Sequence, residues 1–413
     1  MALTENDIGT VQICCFLIKR TSPKLTASLQ DTEIKMTALE WLKVPCKKDF
    51  LDISIILQIG QSFRWIYNPL TQEYLSSVNL KRSDCFAVVK LKQDEHHIYY
   101  QLCPSLKKEE SQDGVLALNS QVQDLAQWVH NYFRLSLKRE ALFEHWAKVD
   151  LKNAESFYKL RSSCCVLHQD PWETLISFIC SSNNNISRIT KMCHKLTELA
   201  GTPLGYTENG VDLHAFPTST QMISCLSEAS LRKWGFGYRS KYIIDTAKLI
   251  QEFKEADKES FKSDSQYLYD KLHGIPYLEA REFLLHFPGV GPKVADCVLL
   301  MGGFGFDEVV PVDVHVKRIA ERDYRFGSKK QTKARLEELK LEYVKYKNTK
   351  KKINYDLDAI RLQLIDLWGP HAGWAQALLF TKEVGSTSGK VGDAITKRKI
   401  DIAQEPTSKR SKA

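Results

Sequence analysis

Residues 287–297, FPGVGPKVADC, place a lysine and a cysteine near the start of a predicted helix. Pro292 suits the first position of that helix, and Lys293 follows in its first turn. The positive end of the helix dipole disfavours a cation there. An amine that attacks carbon needs its lone pair, and a helix N-terminus, partial burial and a nearby cation all lower the pKa of a lysine. One interpretation of these residues is therefore a nucleophilic lysine, with Cys297 one helical turn away on the same face.

A phosphate-binding turn is the competing interpretation of the same residues. The preceding segment 276–287 has a helical pattern, and Gly289 and Gly291 form a tight turn between the two helices. Glycines leave backbone N–H groups bare, and such groups at a helix start bind phosphate. Lys293 would then be a solvated lysine that grips a phosphate, and Cys297 a core residue. The local physics leaves both interpretations open.

A carboxylate follows about twenty residues later, in VVPVDVHVKRIAERD at 309–323. The pattern predicts a strand that gives way to a helix, with Asp313 as the helix N-cap. A carboxylate held at a helix N-terminus stays ionised. Taken alone, Asp313 is better explained as a simple cap.

Composition and cysteine usage limit the class of protein. The 413 residues are 43% hydrophobic and 26% charged, which is ordinary for a soluble globular chain with two or three domains. No apolar run approaches the roughly 20 residues needed to cross a bilayer. Eleven cysteines form no CxxC pair, so we interpret them as reduced thiols in a cytosolic or nuclear protein.

Positive charge is concentrated in the C-terminal tail. The net charge is +8, and residues 390–413 hold seven basic and three acidic residues. Half of the excess therefore lies in the tail, and any polyanion binding by the folded body must be local. The clusters KRK at 397–399 and KRSK at 409–412 predict nuclear localisation. A merely solvated tail is the alternative.

The pattern of residue types along the chain predicts an α+β fold, in which an N-terminal antiparallel β-sheet domain is followed by a mainly α-helical domain. β-branched and aromatic runs such as LDISIILQI and CFAVVKLK, broken by polar residues, indicate strands between about 40 and 105. Helical spacing dominates from about 120 to 383, and Asp170 with Pro171 makes a clear helix start.

The predicted organisation has four parts. Residues 1–35 form an extension, 36–150 the sheet domain, 151–386 the helical domain and 387–413 a basic tail. A lysine-rich insertion at 328–356 carries an apolar stripe, which predicts an exposed amphipathic helix. The stripe consists of Leu336, Leu339, Tyr343 and Tyr346.

Six motifs in order resemble the helix-hairpin-helix DNA glycosylases, and within them the 8-oxoguanine DNA glycosylases of eukaryotes. The resemblance extends from about Ala38 to about Phe380. Besides the two segments around Lys293 and Asp313, the motifs are GQSFRW at 60–65, SFICSSNNNISRIT at 177–190, GFGYRSKY at 235–242 and LWGPHAGWAQALLF at 367–380.

The resemblance implies a bifunctional DNA glycosylase and AP lyase of base excision repair. Its partner would be double-stranded DNA in which 8-oxoguanine is paired with cytosine, and the damaged base would be flipped into a pocket. Lys293 matches the family's lysine, which attacks C1′ of the sugar and forms a Schiff base; a weak β-elimination then nicks the strand. Asp313 matches the acid that stabilises the cationic sugar.

The resemblance also implies a pocket for the damaged base. Gly60 matches the residue whose carbonyl accepts the N7 hydrogen that 8-oxoguanine has and guanine lacks. Phe380 and Cys297 match residues that cover the two base faces, and Gln376 the reader of the Watson–Crick edge. Glu383 stands where the family usually shows an aspartate, which puts the support of the pocket in doubt.

A third group of matches concerns the rest of the DNA. Asn183, Arg188 and Arg239 match residues that hydrogen-bond the opposite cytosine, and Tyr238 matches the wedge in the base stack. His315 matches a residue near a phosphate of the flipped nucleotide, and Gly289 and Gly291 belong to the DNA-binding hairpin. The chain is expected to act as a monomer in the nucleus, and a mitochondrial form is left open.

Several alternatives remain at this point. A glycosylase for oxidised pyrimidines usually carries a four-cysteine iron–sulfur cluster near its C-terminus, and this chain has no cysteine beyond Cys297. Glycosylases for alkylated bases generally lack the lysine. A non-catalytic DNA-binding protein and a scaffold recruited through the lysine-rich segment are the other classes. We expect no cofactor and no metal; whether the hairpin carbonyls hold a metal ion is left open.

Overall fold

The computed structural model describes residues 40–83, 85–103, 112–257, 261, 263–326 and 337–388. Its strands are β1 Leu42–Pro45, β2 Ile66–Asn68, β3 Glu73–Asn79, β4 Phe86–Gln93, β5 His97–Cys103, β6 Pro203–Glu208 and β7 Val211–His214. Its helices in the first half are α1 Ile53–Ile56, α2 Gln112–Tyr132, α3 Glu140–Val149, α4 Ala154–Lys159, α5 Pro171–Ser181 and α6 Ile186–Ala200. Those in the second half are α7 Ser219–Cys225, α8 Glu228–Lys233, α9 Arg239–Ala256, α10 Asp264–Leu272, α11 Tyr277–Leu284, α12 Pro292–Met301, α13 Val314–Ile319, α14 Lys347–Lys352, α15 Tyr355–Trp368 and α16 Ala372–Ser388.

The N-terminal sheet has the strand order β1-β5-β4-β3-β2, and all neighbours are antiparallel. Val89 and Leu91 alternate along β4 and are completely buried against Leu125 and Val129 of α2. This confirms the predicted α+β fold with an antiparallel sheet. The strand predicted in LDISIILQI is wrong, because Asp52 accepts a hydrogen bond from Ser54 N at 2.9 Å and thereby caps the short helix α1.

The helical part surrounds a second, larger core. Helix α5 lies at its centre, and its predicted start is confirmed: Asp170 accepts from Glu173 N at 2.9 Å, and Pro171 takes the first position. Phe143 and Trp146 of α3, which fall within the predicted sheet domain 36–150, pack into this helical core instead. The cores meet at the adjacent Cys164 and Cys165, because the first side chain packs in the helical core and the second in the sheet core.

The hairpin of β6 and β7 was not predicted, because it lies in the helical half of the sequence. Leu213 of this hairpin packs with Leu75, Val88 and Cys103 of the sheet. The helical half thus contributes its own strands to cover one face of the N-terminal sheet.

The lysine-rich insertion packs through its apolar stripe and leaves most of its other described residues exposed. Leu339 and Tyr343 are buried against Ala359 of α15, and Tyr346 is partly buried. Residues 337–342 form a helix with Leu339 on its buried side, so the segment is amphipathic, and its stripe is covered by the rest of the protein. Leu336, the extension at 1–35 and the tail beyond residue 388 lie outside the described residues. Within the part of the chain that is described, no helix has the length and apolarity to span a membrane.

Candidate active site

A tight hairpin joins α11 to α12, as the sequence predicts. Helix α12 begins at Pro292, with Gly291 as its N-cap. Gly289 has a φ of +80°, and a Cβ added there would lie 2.6 Å from Cδ2 of Tyr242. The turn therefore requires glycine at 289 for its backbone angle and for its close approach to the tyrosine ring.

Lys293 and Asp313 line the same cleft, which has a volume of about 770 Å³. Lys293 lies in the first turn of α12 and is partly buried, with Nζ 5.5 Å from the centroid of the Phe178 ring. Asp313 caps α13 and accepts hydrogen bonds from the backbone N–H groups of His315 at 2.9 Å and Val316 at 3.0 Å. The N-cap prediction is confirmed, whereas the strand predicted before it at 309–312 does not form.

The charge state of Lys293 differs from the sequence-based prediction. Burial lowers the pKa of Lys293, but interaction with Cys297 and with the Asp313 carboxylate raises it, and the net direction is above its ordinary value. Burial raises the pKa of the Cys297 thiol to about 11. The predicted lowering is therefore wrong for the DNA-free protein. The amine is held as an ammonium and must lose its proton before it can attack carbon.

Other predicted residues share the cleft with this pair. Tyr238 is exposed, and its hydroxyl donates to Ser182 O at 2.9 Å. The ring of His315 meets the ring of Phe380 edge to face at 5.7 Å, and no partner reaches the buried Nδ1 of His315 among the described residues. The predicted residues on the cleft wall are Asn183, Tyr238, Gly289, Gly291, Lys293, Asp313 and His315.

The residues predicted to bind the damaged base lie outside the cleft lining. Cys297 and Gln376 are buried, and Phe380 is partly buried. Gly60 has a φ of +88°, and a Cβ there would lie 2.9 Å from Cδ1 of Ile186. Gly60 is thus a position that needs glycine for backbone reasons, as the sequence reasoning expected of a backbone-lined pocket.

The two predicted arginines both donate hydrogen bonds to backbone carbonyl groups. Arg239 is buried, and its Nη2 donates to the carbonyl oxygens of Ser182 and Asn183, the latter at 2.9 Å. Nη2 of Arg188 donates to Gly235 O at 2.7 Å. Arg239 thereby ties the start of α9 to residues 182 and 183, and Arg188 ties α6 to the segment before α9. Any base contact by either arginine must therefore use its remaining donors or replace these bonds.

Sequence reasoning missed a buried ionic network beneath the cleft. Nη1 of Arg281 lies 2.8 Å from Asp358, and Nε lies 3.4 Å from Asp296. Arg361 donates to the same Asp358 at 3.0 Å, and Tyr277 donates to Asp296 at 2.8 Å. The network joins α11 and α15 to α12, the helix of Lys293. Its one sequence signal was an aspartate, Asp296, on the apolar helix α12.

Glu383 does not stand free to support the base pocket. Its carboxylate accepts from Nη1 of Arg318 at 3.2 Å and from Nη1 of Arg322 at 3.0 Å. Both arginines lie in or just after α13, the helix capped by Asp313. Glu383 therefore fixes the orientation of α16 against α13.

Two family models match the chain. Residues 43–175 match the N-terminal domain of 8-oxoguanine DNA glycosylase, and residues 176–343 match the HhH-GPD superfamily of base excision DNA repair proteins. The boundary between them falls inside α5.

Relatives match over most of their own length. The N-glycosylase/DNA lyase of Saccharomyces cerevisiae is 44% identical over 368 residues, which cover 88% of this chain and 92% of the yeast protein. The Arabidopsis thaliana protein described as N-glycosylase/DNA lyase OGG1 is 32% identical over 368 residues, covering 88% and 86%. A solved structure of MBOgg1 in complex with a low-affinity DNA ligand has a TM-score of 0.61 and 25% identity, covering 85% of this chain and 96% of that one. The chain therefore belongs to the 8-oxoguanine DNA glycosylase family, whose members are helix-hairpin-helix DNA N-glycosylases with lyase activity.

Proposed function

We propose that this protein excises 8-oxoguanine opposite cytosine from duplex DNA and then nicks the strand, as the first steps of base excision repair. The observation that carries the proposal is the placement of Lys293 and Asp313 on one cleft beside the hairpin. The yeast and plant relatives, which are named as N-glycosylase/DNA lyases, support it.

The reaction begins once the Lys293 ammonium has given up its proton. Nζ then bonds to C1′, the bond from C1′ to the base breaks, and the base leaves with the electron pair and takes up a proton. Opening of the sugar ring moves electrons from nitrogen to carbon and gives the iminium ion, the Schiff base, with the ring oxygen becoming a hydroxyl. Removal of a proton from C2′ then expels the 3′ phosphate and nicks the strand.

Asp313 supplies the negative charge that stabilises the sugar as the base departs. Positive charge develops on the sugar as the bond to the base breaks, and a fixed carboxylate beside it lowers the energy of that state. Two backbone N–H groups of α13 hold the carboxylate in place.

Replacing Asp313 with asparagine removes the negative charge of the side chain but keeps its ability to cap α13. Asparagine caps helices about as well as aspartate, so the melting temperature is expected to stay near that of the wild type. The loss of charge is expected to slow base release by about 100-fold or more. Asp313→Ala removes both and is expected to cost about 1 kcal/mol of stability in addition. Single-turnover assays and thermal melts of both variants check this, and an Asp313→Asn protein of full activity would contradict the charge role.

Base recognition is assigned to the four residues that match the family's pocket. The Gly60 carbonyl accepts the N7 hydrogen of 8-oxoguanine and repels the lone pair at N7 of guanine, which leaves the normal base with an unpaired polar atom. Phe380 and Cys297 cover the two faces, and Gln376 pairs with the Watson–Crick edge.

We assign recognition of the cytosine opposite the lesion to Asn183, Arg188 and Arg239. Asn183 and Arg188 are exposed, and amide and guanidinium groups suit base edges. Arg239 is buried and reaches cytosine only after its carbonyl bonds rearrange. Tyr238, exposed beside them, fills the space that the flipped nucleotide leaves.

Location and assembly complete the proposal. The protein acts as a monomer, since one chain supplies every assigned residue. Its basic clusters at 397–399 and 409–412 direct it to the nucleus.

A comparison of three duplexes tests the proposed substrate. Release of free base is measured with enzyme in excess on 8-oxoguanine opposite cytosine, on 8-oxoguanine opposite adenine and on undamaged guanine opposite cytosine. We expect the first to exceed the second by about 10- to 100-fold, the discrimination that one well-read base supplies. We expect no detectable release from the third. Equal rates on the first two would remove the cytosine assignment, and release of undamaged guanine would remove the lesion assignment.

A further inference from the structure

The amine of Lys352, which lines the same cleft as Lys293, bridges two backbone carbonyl groups of the hairpin. It donates to the backbone oxygens of Leu285 and Val290, the latter at 3.1 Å. Leu285 is the C-cap of α11, where carbonyl groups lack helical partners and carry the negative end of the helix dipole. Val290 lies inside the turn that leads to Lys293. One cationic group thus bridges the end of the first helix and the turn before the second.

The backbone around Lys352 is fixed to the same helix. The carboxylate of Glu282, in α11, accepts from the N–H groups of Asn348 at 2.8 Å and Thr349 at 2.7 Å. Thr349 is buried, and its hydroxyl donates to Glu282 at 2.9 Å. Helix α14 therefore cannot turn on α11, and the Lys352 side chain is aimed at the hairpin carbonyls.

Lys352 is exposed, as are Lys350 and Lys351 on the same short helix. Its amine nevertheless donates to the two hairpin carbonyl groups, a contact that its spacing in the lysine-rich sequence alone would not show. Partial burial lowers the pKa of Lys352, Lys351 lowers it further and Glu282 opposes both.

We infer that Lys352 is a positioning residue for the reaction proposed above. Its amine holds the carbonyls of Leu285 and Val290 together, and this fixes the turn that begins the helix carrying Lys293. The lysine-rich insertion thereby acts on the chemistry through the hairpin rather than through DNA. Any change in the turn displaces both the backbone N–H groups of the hairpin and the attacking amine.

Chemical rescue tests the inference on the full-length protein. Lys352→Ala is expected to slow release of 8-oxoguanine about tenfold, which corresponds to about 1.4 kcal/mol in the barrier. Ethylammonium, a small cation with N–H donors, is expected to restore most of the rate. Tetramethylammonium at the same ionic strength has no N–H donor and is expected to restore none. Free base is measured, because amines themselves cleave abasic DNA.

Matched variants complete the experiment. Lys351→Ala is expected to retain the wild-type rate with or without amine, and Lys352→Met, which keeps the apolar stem, is expected to be as slow as Lys352→Ala. A Lys352→Ala rate within twofold of the wild type, or equal rescue by both cations, would overturn the inference. Failure of the wild-type protein to release base would instead overturn the proposed function, so the two failures are distinguishable.

Discussion

Lys293→Gln is expected to abolish the covalent complex that borohydride traps on duplex DNA containing 8-oxoguanine. Glutamine has a similar length but no amine, so neither the bond to C1′ nor the reducible iminium ion can form. Release of the base is expected to fall by about 1,000-fold or more, as when other covalent nucleophiles are removed. Trapping and single-turnover release measure the two effects separately.

Lys317→Gln provides the matched control in the same cleft. Lys317 also lines the cleft, but its amine is paired with Glu321 one turn along α13. This variant is expected to trap normally and to change DNA affinity by a few-fold at most. If Lys293→Gln released base at the wild-type rate, the proposed mechanism would be falsified. If the wild-type protein bound the duplex but neither trapped nor released base, the non-catalytic DNA-binding alternative would stand.

The second large effect is on stability, and it concerns the buried network under the cleft. Arg281→Met is expected to lower the free energy of unfolding by about 3–5 kcal/mol, because it removes the cation nearest to the buried Asp296 and leaves the buried Asp358 with Arg361 alone. Arg281 is 1% exposed, and methionine replaces most of its volume. Chemical denaturation of the purified protein measures the loss.

An exposed arginine serves as the comparison. Arg232 pairs with Glu228 one helical turn away, at 2.8 Å, with about half of its side chain exposed at 52%. Arg232→Met is expected to cost about 0.3–0.5 kcal/mol. Equal losses in Arg232→Met and Arg281→Met would show that the buried network contributes no more than a surface pair.

The predictable parts of the site depend on short stretches of chain. Asp313 and Asp170 cap helices because a side-chain oxygen next to free N–H groups is favoured wherever a helix begins. The start of α12 at Pro292 and the glycine at 289 follow from the backbone angles these residues allow. Each rule involves residues a few positions apart, so the sequence alone contains the information.

The unpredicted parts depend on residues far apart in the sequence. The pKa of Lys293 reflects Cys297 and Asp313 together with burial, and the helix dipole alone gave the wrong direction. Lys352 meets the carbonyl of Leu285 across 67 positions. Leu213 packs with Leu75 and Val88 of the sheet, which are also far from it in the sequence. Burial and partners of this kind exist only after folding, and periodicity cannot supply them.

The adjacent Cys164 and Cys165, seated in different cores, have a mechanical consequence. A change of backbone angle at this segment would move one of the two thiols, which are 1% and 0% exposed, out of its packing. Rotation of the helical core against the sheet core about this segment therefore carries a cost in lost packing.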